Sequence, residues 1–163
     1  LEHRMRLLGA ERPSFDSIVA SGPNSAMPHH GAGERVLVDG DLVTIDFGMH
    51  RLGFNSDMTR TFAIGEPDAF LREIYEVTLA AQLAGVKAAT PGTDLVDGIG
   101  LEVHEAPSAS QTGTGKLEEH MTLTIEPGIY VPGRGGVRIE DTLLITSSAP
   151  RVITQYPKEL IVL

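Results

Sequence analysis

Apolar residues at Leu1, Met5 and Leu8 share one helical face, and Gly9 ends that pattern. "FDSIVASG" (15–22) then reads as a strand, and "GPNSAMPHHG" (22–31) as a loop dense in turn formers. "DGDLVTIDFGMH" reads as a strand entered through a turn at Asp39-Gly40. In "GFNSDMTRTFAIG", Asn55, Asp57, Thr59 and Thr61 alternate against Ser56, Met58, Arg60 and Phe62, the period of a second strand. The two runs are near enough in the chain to form a hairpin. Asp68 can cap a helix predicted to run to about Ala89, with Leu71, Ile74, Tyr75, Thr78 and Ala81 near one face and Pro91-Gly92 as the stop. Beyond it, "GLEVHEA", "MTLTIEPGIYV", "GVRIEDTLLIT" and "RVIT" are strand-like and separated by turns, with "SASQTGTGKLEEH" as a polar loop. Many strands and few helices predict an α+β fold with a mainly antiparallel sheet.

One junction breaks the pattern. In "ATPGTDLVDGIGLEVHEAP" (89–107), Thr93 reads as the N-cap of a further helix. That helix reaches only "DLV" before the chain turns at "DGIG" into a β-like run.

The chain has 163 residues, enough for one domain with its own core, and it opens in mid-pattern without a methionine, which reads as a cut boundary. Its net charge of −9, from 22 acidic and 13 basic residues, argues against nucleic acid and against an anionic membrane surface. No apolar run approaches the ~20 residues of a membrane span. With no cysteine there is no disulfide and no thiolate metal site, which is compatible with a reducing cytoplasm.

Acidic charge becomes informative through its placement. Asp46 in "LVTIDFG", Asp57 in "FNSDMTRTF", Glu126 in "LTIEPG" and Glu140 in "GVRIEDTLLI" lie in or at the ends of apolar runs. Carboxylates are poor strand residues and are rarely buried unpaired. Each alone reads as a strand-end group in water or paired with an arginine. If the four converge, their repulsion calls for divalent cations, and oxygen ligation favours Mn²⁺, Co²⁺ or Zn²⁺. Strand parity puts Arg138 and Glu140 on one face and Asp141 on the other. Among the histidines, His29 in the turn-rich loop and His104 near a strand end stand out. His3, His30, His50 and His120 read as surface positions.

"TIDFG…SDMTRTF", "GIGLEVHEAP" and "TIEPGIYVPGRGGVRIED", in this order, resemble the pita-bread metallopeptidases, above all the Xaa-Pro aminopeptidase and Xaa-Pro dipeptidase (prolidase) branch. The resemblance covers nearly the whole chain. It implies a single catalytic domain over 1–163 with a curved sheet and flanking helices, the branch's amino-terminal domain being absent. It implies two divalent ions, Mn²⁺ or Co²⁺ before Zn²⁺. Asp46 would bind one ion and Asp57 and Glu140 would bridge both. Glu126 would bind the second and handle the proton of the attacking water. His29 and His104 would contact substrate or the reacting carbonyl, and Arg138 would support the ligands. The implied activity is cleavage of the peptide bond before a proline in second position, in a cytoplasmic homodimer. Methionine aminopeptidase is the alternative within the class, although "GIYVPGRGGVRIED" argues against it. A non-catalytic peptide-binding module and a metal-free creatine-cleaving relative are the alternatives outside it. Both tend to lose the carboxylates retained here.

The chain departs from the family pattern at Asp97, where the family has a fifth, histidine ligand. The family also has a helix and a strand between its "PGT" and "GIGLEVHE", and there is no room for them here. Either the natural protein carries a segment near 96–98 that this sequence skips, or the deletion is real. The helix start left without a body at Thr93 favours the first.

Overall fold

The computed structural model describes residues 1–93, 97–98 and 115–163. In chain order the elements are α1 (Glu2–Leu7), β1 (Arg12–Pro13), β2 (Ile18–Ser21), β3 (Leu42–Phe47), β4 (Met49–Arg51), β5 (Phe54–Asn55), β6 (Met58–Ala63) and α2 (Ala69–Ala88). They continue with β7 (Asp97–Gly98), β8 (Thr122–Ile125), β9 (Gly128–Val131), β10 (Gly135–Arg138), β11 (Asp141–Leu144) and β12 (Arg151–Val152). All pairings between these strands are antiparallel, as the sequence predicts.

β3–β4 and β5–β6 form one hairpin in one continuous register, from Leu42↔Ala63 and Phe47↔Met58 out to Arg51↔Phe54. Pairing opens at Gly48 and Asp57, which belong to neither strand. A Cβ on Gly48 would lie 1.9 Å from the Ser56 carbonyl oxygen, so only glycine permits this crossing. β2 pairs along β3 with Ile18 opposite Asp46. The predicted strand 15–22 is therefore shorter at its start, and the loop after it opens with a 3₁₀ turn, Gly22–Ala26. That turn packs on β10. Gly136 N–H donates to Ser25 Oγ at 2.8 Å, and a Cβ on Gly136 would meet the Ser25 carbonyl oxygen at 2.3 Å.

α2 begins where predicted. The Asp68 side chain accepts from the Leu71 N–H at 2.9 Å. Its buried face is Leu71, Ile74, Tyr75, Thr78 and Gln82; Ala81 is exposed, correcting the predicted face by one position. The helix lies over β10, and Leu71, Ile74 and Tyr75 pack with Leu42, Ala63, Val137 and Ile139 in one core cluster. A second cluster joins Ala89, Leu117, Leu123, Ile125, Leu143 and Ile145. Leu117 is the apolar anchor within what reads as a polar loop. Fully burying each aliphatic side chain favours folding by about 1.5–3 kcal/mol.

The helix start predicted at Thr93 runs into residues 94–96, which lie outside the described ones. The Thr93 hydroxyl donates to the Ala88 carbonyl at 2.9 Å, an end-of-helix acceptor that also takes the Thr90 N–H at 2.8 Å. The strand expected at "GLEVHEA", and His104 with it, lies outside the described residues. Asp97 and Gly98 pair with Thr124 and Leu123 on the edge of the β12-β11-β8-β7 sheet.

Candidate metal centre

Along the hairpin, one face carries Thr44, Asp46, Asp57, Thr59 and Thr61; the opposite face carries Ile45, Phe47, Met58, Arg60 and Phe62. The first face turns toward β10 and the segment leading into β11. The hydroxyl of Thr61 donates to the Arg138 carbonyl at 2.9 Å, and Glu140 N–H donates to the Thr59 carbonyl at 3.1 Å. This brings Glu140, from the far end of the sequence, against Asp46 and Asp57. One carboxylate oxygen from each of the three lies within 4.8 Å of the others, and all three residues are buried.

The hydrogen bonds around the cluster are selective. Arg138 Nη2 donates to Asp46 Oδ2 at 2.6 Å, and Thr59 Oγ1 donates to Glu140 Oε2 at 2.7 Å. Asp46 Oδ1, Asp57 Oδ1 and Glu140 Oε1 are buried with no hydrogen-bond partner among the described residues. Buried oxygens without partners, on three carboxylates gathered this closely, are strongly unfavourable unless the group holds protons or a cation. Burial first, then the charges of Asp46 and Glu126, push the Asp57 carboxyl up to about 8. Burial, then the charges of Asp57, Glu126 and Asp46, raise Glu140 well above the ordinary carboxylate range. This donor set fits divalent cations with a preference for oxygen.

Arg138 reaches further. Its Nη1 donates to the Tyr130 hydroxyl at 2.8 Å and to the Pro28 carbonyl at 3.1 Å, and its Nε to Thr59 Oγ1 at 3.2 Å. Burial works against its charge, but the bonds to Tyr130 and Asp46 outweigh this and raise its pKa. One guanidinium thus ties a ligand candidate to the loop that carries His29.

A cavity of about 550 Å³ opens over the cluster, with His29, Asp46, Asp57, Glu126, Tyr130 and Arg138 in its lining. Of the residues singled out by sequence, Asp46, Asp57 and Glu140 converge. Glu126 stands exposed on the wall just past the end of β8, with the Thr124 hydroxyl 3.3 Å from its Oε1. His29 is exposed at the cavity and Arg138 is buried beside Asp46. Asp141 points away from the cluster, as parity predicts. Thr59 and Tyr130 escaped the sequence reading. Parity could have found Thr59, two residues from Asp57 on the same strand face; nothing in the sequence singles out Tyr130.

Antiparallel strands that gather buried carboxylates beneath an open cavity fit the class of metal-dependent hydrolases. The chain belongs to metallopeptidase family M24, whose profile matches residues 1–97 and 95–147. It is 44% identical to the uncharacterized peptidase YqhT of Bacillus subtilis and 43% identical to the Xaa-Pro dipeptidase of Pyrococcus furiosus. These alignments cover 100% and 99% of this chain and 53% of each relative. Among solved structures, the Xaa-Pro dipeptidase from Bacillus anthracis superposes with a TM-score of 0.95 and 47% identity, over 99% of this chain and 52% of that one. The expected pita-bread fold holds. The chain spans about half the length of the curated relatives it matches. The YqhT alignment runs over 187 residues against 163 here, so a stretch of that relative has no counterpart in this chain.

Proposed function

We propose that this chain is the metal-binding part of an exopeptidase that cleaves the bond between an N-terminal residue and a following proline. The observation that carries the proposal is the trio of buried, unpartnered oxygens on Asp46, Asp57 and Glu140. Asp46, Asp57, Glu126 and Glu140 are the residues that would hold two divalent ions, Mn²⁺ or Co²⁺ before Zn²⁺. When bound, such ions supply hydroxide near neutral pH and polarise a carbonyl.

The chain's own residues do the rest. Arg138 and Thr59 each hold one carboxylate oxygen and leave the other buried without a partner among the described residues. Asp46 Oδ2, already bonded to Arg138, retains a second lone pair for a cation. Glu126, on the cavity wall, accepts a proton at its carboxylate and delivers it to the departing proline nitrogen. His29, at the cavity, donates a hydrogen bond to the oxygen on which negative charge develops. His104 has the corresponding role by resemblance. The substrate is a peptide with proline second, and the protein is proposed to work as a cytoplasmic homodimer. Among the described residues no helix is long and apolar enough to cross a membrane.

The decisive assay reconstitutes the intact protein with Mn²⁺ or Co²⁺ and offers Xaa-Pro dipeptides and longer Xaa-Pro-led peptides. Cleavage of either supports the proposal, and comparing them separates dipeptidase from aminopeptidase. Failure on both sinks it. Release of methionine from Met-Ala peptides without proline activity would instead favour a methionine aminopeptidase.

Asp97 motivates a second reading. The two profile matches meet at 95–97, where the resemblance expects a further helix, a strand and a histidine ligand. We propose that the intact protein carries that segment. Metal analysis tests this: fewer than about one ion per chain after reconstitution would favour a real deletion and a peptide-binding role.

A further inference from the structure

Directly behind the carboxylate cluster, on the opposite face of the sheet, sits a second buried charge network that contributes no group to the cavity. Arg60 is 2% exposed. Its five N–H groups are all used. Nη1 donates to the Thr59 carbonyl at 2.8 Å and to the Glu140 carbonyl; Nη2 donates to Asp141 Oδ1 at 2.7 Å and to the Tyr156 carbonyl at 2.8 Å; Nε donates to the Pro157 carbonyl at 3.0 Å. Asp141 is fully buried and accepts in addition from Thr154 at 2.7 Å, Gln82 at 2.9 Å and Lys158 at 2.5 Å.

The two carbonyls that Arg60 Nη1 holds are not arbitrary. They belong to Thr59 and Glu140, the pair whose side chains bond each other at 2.7 Å on the cluster side. One rigid guanidinium therefore fixes the backbone of both residues from behind. Asp141, next in sequence to Glu140 and on the other face, orients that guanidinium. A lysine could not do the same, because its ammonium has three donors and no planar fork.

We infer that Arg60, aimed by Asp141, is a positioning residue that sets the Thr59–Glu140 pair in the geometry that receives a cation. The inference rests on the reading of Asp46, Asp57 and Glu140 as metal ligands. Loss of an outer partner of this kind typically weakens metal binding 10–100-fold. Lys158 provides the internal control, since its ammonium touches Asp141 but neither held carbonyl.

The test measures Mn²⁺ affinity by titration calorimetry and the visible absorption of bound Co²⁺ in the intact protein, with folding checked by circular dichroism. Arg60→Lys is expected to bind Mn²⁺ at least about tenfold more weakly and to alter the Co²⁺ spectrum. Lys158→Met is expected to melt at a lower temperature yet keep its Mn²⁺ affinity within about twofold. A folded Arg60→Lys with wild-type affinity and spectrum overturns the inference, and so do equal losses in both variants, which would mean general loosening. If Arg60→Lys does not fold, Asp141→Asn decides: an affinity loss beyond about threefold supports the inference, and an unchanged affinity overturns it. Wild-type protein that takes up no Mn²⁺ or Co²⁺ refutes the metal-site reading beneath, an outcome distinct from all of these.

Discussion

His29 and His30 are neighbours in sequence with different surroundings. His29 is exposed at the cavity, whereas His30 is half-buried outside its lining, its backbone N–H bonded to the Met27 carbonyl at 3.1 Å. If His29 meets charge developing on the substrate, His29→Ala lowers kcat by roughly 10²-fold or more, while His30→Ala stays within about twofold. Steady-state kinetics on an Xaa-Pro peptide checks both, and a large loss at His30 would show that the wrong histidine was assigned. Asp41 is one of the carboxylates that contribute to acid stability. Asp41 is buried and accepts from Arg35 Nη1 at 2.5 Å, from Arg35 Nη2 at 2.9 Å and from Val38 N–H at 2.9 Å. Burial works against its charge, but these partners hold its pKa below the ordinary value. With the folded pKa below the unfolded one, its contribution is complete above the unfolded value of about 3.9 and is lost as pH falls through the folded value. Asp41→Asn should cost about 1.5–3 kcal/mol at pH 7. Thermal melts should show the gap to wild type shrinking as pH falls below the unfolded value; a constant gap would mean that charge is not its source.

At the scale of elements, the hairpin holds an avoidable strain. Its tip is the two-residue loop Leu52–Gly53, with φ of 52° and 86°. Positive φ at both positions marks a type I′ turn, which favours Asn-Gly. Leucine in that conformation costs roughly 1 kcal/mol, and Leu52 is 77% exposed, so it repays little by burial. Leu52→Asn should stabilise the chain by about 1 kcal/mol in a denaturant melt and leave peptide cleavage unchanged. A destabilised variant would mean that the leucine packs against something in the intact protein. The hairpin also shows how far sequence reaches. Asp46, Asp57 and Glu140 were legible because a carboxylate in an apolar strand is costly and demands an explanation. Thr59 was not, since a strand threonine carries no such cost. Gln82 was missed on α2 for a related reason. Its place on the buried face depends on a 2.9 Å bond to Asp141, far along the chain, and no local pattern reveals such a partner. The breaks in the long predicted strands, at Gly48, Ser56–Asp57, Glu126–Pro127 and Ile139–Glu140, carry no local signal of the same kind; at the last, Glu140 N–H bonds to the Thr59 carbonyl, far back along the chain.

For the whole molecule, the cluster lies where two separately closed parts of the chain meet. Asp46 and Asp57 come from the β3–β6 hairpin, and Glu140 comes from the connection between β10 and β11. Without a cation, raised carboxyl groups oppose that meeting; with one, the same oxygens hold the parts together. Binding to the folded state alone stabilises it in proportion to the logarithm of free metal, about 2.7 kcal/mol at 100 times Kd. For a domain of this size that is a rise in Tm of roughly 5–10 °C. Thermal melts of the intact protein after chelation and across a Mn²⁺ series should trace this rise. Asp57→Ala and Glu140→Ala should flatten it and abolish Xaa-Pro cleavage, because each removes an oxygen donor from the point where the parts converge. If the melting temperature ignores metal in the wild type, the carboxylates are stable through protonation alone, and the metal reading fails at the level of the whole fold.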